Sequence, residues 1–457
     1  MAWHNRRPLI LASLLFGLAT SSLAQQLGPA TESESNSIIG SPPQPSAAPA
    51  VIPPFAALHR FPGTSGVYDP SGGLAMDGAG NLYGTTLYGH DSDDNCQIDT
   101  CGVVYRLEAP TWTYKLLHAG ILFEQGIAPK APLTIVGDVI YGTMSAGGSR
   151  YCACGVVFKI LTNGTGYQEF HVFGPNFPAK QVKGATPIGG LLIDGDTMYG
   201  TTSAGGKYGN GVVYKLSTDG SGYEVLHHFT PDNPAYVGEG PQGELLLGKD
   251  GRIYGTQFGG GKYNQGTVFR ISKTGDGFEV LHDFANVFEI PGVNDGGGPQ
   301  GRLAQGSDGT IYGATELGGT ALGYGTAWSL KPVGDKWVYK QLRRFTVEDR
   351  NDANTPHSGL EIDTNGVLYG AGGGGGQHQC GAVYKLTPPK TADGKWGYDT
   401  LYSDQCFPSD PDGDLPDGDL LLHNHLLYGV NAAGGPNTVA CSNDTDIGCG
   451  AVFRIKP

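Results

Sequence analysis

The stretch PQGELLLGKDGRIYGTQFGGGKYNQGTVFRISKTGDGFEVLHDF, residues 241–284, contains one copy of a unit that recurs seven times along the chain. The clearest mark of each copy is a tyrosine followed by glycine, at Tyr83, Tyr141, Tyr199, Tyr254, Tyr312, Tyr369 and Tyr428. The spacing of these tyrosines stays between 55 and 59 residues. A constant period indicates repeat units that bury their apolar faces on one another. It therefore predicts a repeat fold, and the tyrosines are expected to be packing residues.

Three further landmarks give the order of strands within each unit. A Pro-x-x-x-Leu motif, such as Pro241 to Leu245, predicts a first strand, which we call strand A. A turn such as Asp250-Gly251, a strong hairpin signal, leads into the Tyr-Gly strand B. A Gly-Gly loop then precedes strand C, with the pattern Gly-Val-Val-Tyr-Lys, and Leu-His-x-Phe marks strand D. Four antiparallel strands per unit predict the blade of a β-propeller.

The composition and the two ends of the repeat region support a closed all-β ring. The 457 residues include 76 glycines and 30 prolines, too many for a helical protein, and 23 tyrosines and 17 phenylalanines, too many for a disordered one. The seventh unit stops inside strand C, at Phe453 to Pro457, whereas Phe55 to Phe61 has the pattern of a strand D without its own blade. We expect this N-terminal strand to complete the last blade, so that residues 55–457 form a seven-bladed β-propeller.

Residues 1–24 have the order of a secretory signal peptide. Arg6 and Arg7 precede an apolar run and then small residues ahead of Gln25. The ordinary export route is favoured over a twin-arginine route, because the run is strongly apolar and Pro8 directly follows the arginines. Residues 25–54 are rich in Ser, Pro and Ala and predict a flexible leader. No later stretch is apolar enough for a spanning helix. We expect a secreted or periplasmic monomer that is not held in a membrane.

The net charge of −14 limits the partners that the protein can have. Nucleic acid is an unfavourable partner, because binding to phosphates depends on clustered Lys and Arg. Cations and neutral or basic ligands suit this charge better.

The Tyr-Gly-Thr-Thr, Gly-Gly and Gly-Val-Val-Tyr-Lys-Leu elements resemble those of the GloVer tandem-repeat family of exported bacterial proteins. The resemblance covers residues 55–457. It implies a secreted repeat domain, and it implies no established catalytic motif, because the residues that the family shares are structural.

Eight cysteines in an exported chain predict disulfides. The expected pairs are Cys96 with Cys101, Cys380 with Cys406, and Cys441 with Cys449. Cys152 and Cys154 would form a strained ring if bridged, so exchange between blades 1 and 2 is an alternative. Zinc binding is disfavoured, because the spacings lack a paired C-x-x-C pattern.

An acidic segment between blades 6 and 7 is a candidate calcium site. Five carboxylates fall within ten residues, at Asp410, Asp412, Asp414, Asp417 and Asp419. We take Asp410, Asp412, Asp414 and Asp417 as candidate ligands, because a dense set of oxygens suits a hard cation. Leu415 and Leu421 stand where the helix-loop-helix calcium motif has Gly and Glu, so a solvated acidic loop rich in Asp turns is the alternative.

Strand A is expected to line the central channel, where the repeat pattern is broken. The residue before the strand A leucine is Gly or Pro in four blades, but it is Glu244, Arg302 and Asp419 in the others. Two positions earlier, blade 6 has His357. We take Glu244 or Asp419 as a candidate acid or base, Arg302 as a candidate clamp for an anionic group and His357 as a candidate proton carrier. Alternatively, Glu244 and Arg302 neutralise each other across the channel.

Aromatic residues in the B-to-C loops add a candidate binding surface. His378, Tyr151, Tyr208, Tyr263 and Tyr324 are placed there, and aromatic rings on a wet loop can stack on sugars. A different set of histidines recurs once per blade on outer strands: His59, His118, His171, His227 and His282. We expect them to be structural, because histidines in different blades lie too far apart to bind one metal ion.

Two functions from different classes are compatible with these features. The first is a secreted propeller that binds an extracellular ligand, carbohydrate ahead of protein, on the face formed by these loops. The second is a polysaccharide-active enzyme, a glycoside hydrolase or a lyase, that uses the carboxylates, His and Arg of the channel. The absence of a known catalytic motif favours binding.

Overall fold

A computed structural model describes residues 54–61, 67–89, 101–121, 125–148, 154–174, 183–230, 240–285, 294–319, 323–349, 351–391, 394–406, 414–434 and 449–457. These residues belong to one compact unit, residues 52–457. Within these ranges the secondary structure is β-strand, and no helix is long and apolar enough to cross a membrane.

The described strands form seven four-stranded antiparallel sheets, which are the blades of a β-propeller, and two additional short two-stranded sheets, one in the blade 2 repeat and one in the blade 6 repeat. In chain order the strands are β1 (Phe55–Arg60); in blade 1, β2 (Tyr68–Met76), β3 (Leu82–Tyr88), β4 (Val103–Glu108) and β5 (Thr113–Ala119); in blade 2, β6 (Gly126–Ile127), β7 (Thr134–Val136), β8 (Val139–Met144), β9 (Ala146–Gly147), β10 (Val156–Leu161) and β11 (Gln168–Val172); in blade 3, β12 (Leu192–Asp194), β13 (Thr197–Thr202), β14 (Val212–Ser217) and β15 (Glu224–His228); in blade 4, β16 (Leu246–Leu247), β17 (Ile253–Gln257), β18 (Thr267–Ile271) and β19 (Glu279–Asp283); in blade 5, β20 (Gly297–Gln305), β21 (Ile311–Leu317), β22 (Thr326–Val333) and β23 (Lys336–Arg344); in blade 6, β24 (Ala353–Asn354), β25 (Glu361–Ile362), β26 (Leu368–Gly372), β27 (Gly374–Gly375), β28 (Ala382–Thr387) and β29 (Gly397–Ser403); and in blade 7, β30 (Asp414–His423), β31 (Leu426–Ala433) and β32 (Ala451–Ile455).

The last blade is completed by the N-terminal strand, as the repeat pattern predicted. The order of strands in this sheet is β1-β32-β31-β30, and Phe55 lies opposite Ile455 in the antiparallel register. Joining the two ends of the repeat region in one sheet removes the edges at which an open ring would pair with other chains.

The glycine of each Tyr-Gly pair makes room for an aromatic ring on strand C. In blade 4, a Cβ on Gly255 would lie 2.6 Å from the ring of Phe269. The neighbouring Tyr254 is buried, and its hydroxyl donates to the Asp250 carboxylate at 2.8 Å in the hairpin turn. The Tyr-Gly pair therefore packs the interior of the blade.

The Pro of strand A and the Gly of strand C meet between neighbouring blades. A Cβ on Gly266 of blade 4 would lie 2.5 Å from Cδ of Pro299 in blade 5. The N–H of Gly298 donates to the carbonyl of Gln265 at 2.9 Å beside this contact. In the same way, the N–H of Asp69 in blade 1 donates to the carbonyl of Cys449 in blade 7 at 3.2 Å, which ties the first blade to the last.

The recurring histidines stack on aromatic rings of the neighbouring blade. The ring centroids of His227 and Phe278 are 3.6 Å apart, and the other pairs are His59 with Tyr114, His118 with Tyr167, His171 with Tyr223 and His282 with Tyr339. Burial lowers the pKa of His227 to about 4, so its ring is neutral at pH 7. These histidines pack the blades together.

One of the expected disulfides lies within the described residues, and it is confirmed. Cys380 and Cys406 are bonded, with their Cα atoms 5.3 Å apart. Cys101, Cys154 and Cys449 are also disulfide-bonded. The other expected pairings involve Cys96, Cys152 and Cys441, which lie outside the described residues.

Candidate functional site

A cavity of about 430 Å³ occupies the end of the central channel at which the strand A segments of all seven blades begin. We call it the mouth cavity. Its ionisable and amide side chains are Asp69, Lys130, Gln242, Glu244, Gln300, Glu316, His357, Asp417 and Asp419. Most of these residues come from the Pro-x-x-x-Leu segments, whereas Glu316 stands near the end of strand B of blade 5.

Glycines that line the mouth cavity bring the strand A backbones into direct contact. A Cβ on Gly189 would lie 2.6 Å from the carbonyl oxygen of Gly243, and a Cβ on Gly72 would lie 2.7 Å from the backbone of Ala131. Only glycine allows two backbones to approach this closely. We call these closely packed strand A backbones the floor of the cavity.

His357 lies between two carboxylates on the wall of the mouth cavity. Its Nε2 atom is 3.5 Å from Oε1 of Glu316, and its Nδ1 atom is 3.9 Å from Oδ1 of Asp417. The amide of Gln300 donates to the other Glu316 oxygen at 2.9 Å. The hydrogen bond to Glu316 is the main cause that raises the pKa of His357. Because the pKa is raised, a larger fraction of this imidazole is protonated near neutral pH.

Asp69 and Asp417 are carboxyl groups that the cavity makes harder to ionise. The pKa of Asp69 is raised to about 7, mainly by burial and secondly by the negative charge of Asp417, while the charge of Lys130 acts in the opposite direction. Burial also raises the pKa of Asp417, against the opposing effect of His357. A group with a pKa near 7 can serve as hydrogen-bond donor or acceptor, or transfer a proton, at neutral pH.

A second cluster of charged groups lies at the floor. The Arg302 guanidinium forms an ion pair with Glu361 and donates to the carbonyl of Leu420 at 3.0 Å. Oδ1 of Asp419 accepts the backbone N–H groups of Gly359 at 2.6 Å and Arg302 at 3.2 Å. Asp419 therefore connects the strand A segments of blades 5, 6 and 7.

Glu244 is coupled electrostatically to Arg302 and Glu361 without being part of their ion pair. Its carboxyl lies over Gly190 of blade 3, where a Cβ would come within 3.1 Å of Oε2. Burial raises the pKa of Glu244 to about 7, and the charges of Asp419 and Glu361 also raise it, although Arg302 lowers it. A carboxyl group in this position is protonated in a large fraction of molecules at neutral pH.

The structure brings three of the four expected channel residues to one cavity. Glu244, His357 and Asp419 line the mouth cavity. Arg302 forms its ion pair with Glu361 of blade 6, and it also attracts Glu244 electrostatically, which lowers the pKa of Glu244. In this arrangement Arg302 holds neighbouring strands in place and does not present a free guanidinium to the cavity.

Of the candidate calcium ligands, Asp417 is the one whose side chain lies within the described residues. Asp417 lies in the mouth cavity beside His357. Asp410, Asp412 and the side chain of Asp414 lie outside the described residues, so calcium binding there stays a prediction. Among the described side chains, no group of three or more His, Cys, Asp or Glu residues could hold a metal ion.

The aromatic loop residues have different surroundings. The Lys207 ammonium stands over the ring of Tyr208 at 4.9 Å, and the Lys262 ammonium stands over the ring of Tyr263 at the same distance. Tyr324 packs against the apolar core between blades 5 and 6. His378 is exposed, and Tyr151 lies outside the described residues.

Sequence reasoning missed Glu361, Glu316 and the role of Asp69, although each breaks the repeat. The position after the strand A leucine holds Glu361 in blade 6, where the other blades have Ala75, Thr134, Leu192, Leu246, Ala304 and Leu421. Four residues after the tyrosine of Tyr-Gly, blade 5 has Glu316, where the others have Leu87, Ser145, Ser203, Phe258, Gly373 and Ala432. A comparison of every repeat position, and not only of the strand A motif, would have found them.

Two segments of the chain, residues 53–240 and 232–441, match the Gloeobacter/Verrucomicrobia repeat. The chain belongs to this family. The match confirms the resemblance that the repeat elements indicated. No curated protein matches the chain.

Solved structures with a similar fold share little sequence with this repeat protein. The GH74 enzyme of Niastella koreensis is 12% identical, with a TM-score of 0.47 and coverage of 80% of this chain and 52% of that one. A putative oxidoreductase (glucose dehydrogenase) from Thermus thermophilus is 15% identical, with a TM-score of 0.39 and coverage of 88% and 98%. A putative 6-phosphogluconolactonase from Bacteroides uniformis is 14% identical, with a TM-score of 0.41 and coverage of 71% and 82%. At TM-scores below 0.5 these likenesses carry no argument about function.

Proposed function

We propose that this protein is an exported propeller that binds an extracellular carbohydrate in the mouth cavity. The observation that supports this most directly is the mixture of donors and acceptors around a cavity of about 430 Å³, a size typical of small-molecule sites. Sugar hydroxyls both donate and accept hydrogen bonds. The amides of Gln242 and Gln300 offer both functions, and so does a carboxyl such as Asp69 whose pKa is about 7.

The charge of the cavity favours a neutral or basic sugar over an acidic one. The cavity is lined by five carboxyl groups, those of Asp69, Glu244, Glu316, Asp417 and Asp419. Lys130 and His357 are the basic side chains among the described lining residues. Because carboxyl groups outnumber them, the wall carries negative charge even when Asp69 and Glu244 are partly protonated, and it repels uronic acids and sulfated sugars and attracts amino sugars.

Export is part of the proposal. The Cys380–Cys406 disulfide is typical of proteins that fold in oxidising compartments, and residues 1–24 have the pattern of a signal peptide.

A second candidate function is polysaccharide cleavage by a hydrolase or a lyase. Asp69, with its pKa raised to about 7, is influenced electrostatically by Asp417, whose pKa burial also raises. Two carboxyl groups in an enclosed site are the groups that glycoside hydrolysis uses as acid and as base or nucleophile.

The first experiment is a glycan-array and polysaccharide-degradation screen with the purified mature protein and with Asp69→Asn/Asp417→Asn. Asp335→Asn, at an exposed turn, is the matched control. We expect binding without product formation, at least tenfold weaker in the double variant and unchanged in the control. Product formation that the double variant abolishes would establish the enzyme instead. Full binding by the double variant would contradict the assignment of this cavity.

A further inference from the structure

We infer that the boundary between blades 3 and 4 contains a second binding site, which takes a neutral, hydroxyl-bearing ring such as a sugar residue. A cleft of about 400 Å³ lies there, and we call it the interblade cleft. Among its lining residues are His227, Gln257, Thr267, Phe278, Val280 and Asp283. They lie on strands B, C and D or, for Phe278, directly before strand D, whereas the mouth cavity is built mainly from strand A segments.

Two buried polar atoms at this cleft lack a hydrogen-bond partner. Gln257 is 5% exposed and Thr267 is 1% exposed. Among the described residues, neither Nε2 of Gln257 nor Oγ1 of Thr267 has a partner. Leaving such an atom unpaired in the interior is destabilising, so a pair of them facing one cleft is a position that a hydrogen-bonding occupant can satisfy.

The neighbouring blades avoid this cost at the same place in the repeat. Gln257 and Thr267 lie opposite each other on strands B and C. In blade 3 the corresponding pair is Thr202 and Val212; the Thr202 hydroxyl donates to the carbonyl of Ala204 at 2.9 Å, and Val212 has no polar side-chain atom. The polar and unsatisfied pair of blade 4 is therefore not required by the fold.

Blade 5 shows how a polar pair at this position is satisfied without a ligand. Its pair is Thr315 and Thr326, whose hydroxyl oxygens are 2.8 Å apart and hydrogen-bonded to each other. Gln257 and Thr267 make no such bond with each other in the structure. The unused hydrogen-bonding capacity of blade 4 is available to a ligand in the cleft.

The polar end of the cleft combines donors and an acceptor. The Gln257 amide can donate, and the Thr267 hydroxyl can donate or accept. Asp283 lies opposite Thr267 on strand D, and its Oδ1 accepts the backbone N–H of Lys262 at 2.8 Å. A second carboxylate oxygen is left to accept from a ligand hydroxyl. The negative charge of Asp283 disfavours an anionic ligand, and the nearby Lys262 offsets that charge, so a neutral ligand fits best.

The other wall of the cleft is apolar. The Phe278 ring is stacked on the neutral His227 ring, and Val280 is 42% exposed beside it. A ligand with a polar edge and an apolar face can satisfy both walls at once. A pyranose has this form, because its hydroxyls project from the rim and its C–H groups cover one face.

The test uses Gln257→Thr/Thr267→Val, which installs the pair that blade 3 already contains. We expect this variant to fold and to be at least as stable as the wild type, because two unpaired buried atoms are removed. The probes are cellotetraose, maltotetraose and tetra-N-acetylchitotetraose, each titrated calorimetrically into the mature protein. Thr267→Val alone, which keeps the side-chain shape and removes only the hydroxyl, should weaken binding at the cleft about tenfold and provides a second readout.

The number of sites per chain separates this inference from the proposed function. Both proposals would be supported if the wild type has two sites and each double variant removes one of them: Gln257→Thr/Thr267→Val the cleft site, and Asp69→Asn/Asp417→Asn the mouth site. A single site that only the blade 4 variant removes would support the cleft and contradict the mouth cavity. Three results would overturn the inference and leave water as the occupant of the cleft. They are a single site that only the mouth variant removes, titrations that neither blade 4 variant changes, and no binding of any probe.

Discussion

Replacing Glu244 by Gln should stabilise the protein at alkaline pH and leave its stability nearly unchanged at acid pH. Burial raises the pKa of this carboxyl from 4.5 to about 7. The folded protein therefore holds the proton more tightly than the unfolded chain does. The stability that this group contributes is fully present below pH 4.5 and is lost as the pH rises through 7. Glutamine has nearly the same shape and never ionises.

The magnitude follows from the difference between the two pKa values. At about 1.4 kcal/mol per pKa unit, the difference between 4.5 and about 7 corresponds to about 3 kcal/mol. At pH 8 Glu244→Gln should therefore be more stable than the wild type by up to about 3 kcal/mol. The advantage should open between pH 4.5 and 7 and should be small at pH 4.

The assay is urea unfolding of wild type and Glu244→Gln at pH 4, 6 and 8. Glu348→Gln, on an exposed loop, controls for the amide substitution and should show no such change with pH. A free-energy difference between wild type and Glu244→Gln that stays constant across this pH range would refute the assignment of Glu244 as a buried group that resists ionisation.

Three other features should each contribute measurably to stability in urea or thermal unfolding. Arg302→Met should cost about 2–4 kcal/mol, because Glu361 loses its partner, and adding Glu361→Gln should recover at least half; no recovery would argue against the ion pair. Gly301→Ala should cost about 3 kcal/mol, because φ is 76° and the new Cβ would overlap the backbone of blade 6; an unchanged midpoint would contradict the close contact at the floor. Cys380→Ser/Cys406→Ser should cost about 3 kcal/mol for a bridge across 26 residues, and equal stability of this variant and the oxidised wild type would contradict a stabilising role.

Much of the fold was predictable because its determinants recur at fixed positions. The Tyr-Gly pair, the strand A proline and the strand C glycine each make a particular packing contact, either inside a blade or between two blades. Because every blade needs these contacts, the residues recur in every repeat. The closure by β1 was predictable for the same reason, since a strand D pattern at the N-terminus matched the strand missing at the C-terminus.

The candidate site was predictable only where a charged residue replaced a small one in a known motif. Glu244 and Asp419 were found in this way, His357 was found from its place in the same motif, and all three line one cavity. Their partners were not found. That Arg302 pairs with Glu361 and not with Glu244 depends on the direction in which each side chain leaves its strand at the axis. The repeat pattern contains no information on this direction.

The number of blades, the order of their strands and the closure of the ring could be predicted from the residues alone, because they depend on contacts within a repeat and between successive repeats. The folded arrangement was needed to show which charged groups share a cavity, which carboxyls have raised pKa values and where a buried amide is left unpaired. Asp69 and Asp417 are far apart in sequence, and they meet because the ring closes. Burial and electrostatic coupling at the axis arise from the arrangement of all seven blades, which no single repeat specifies.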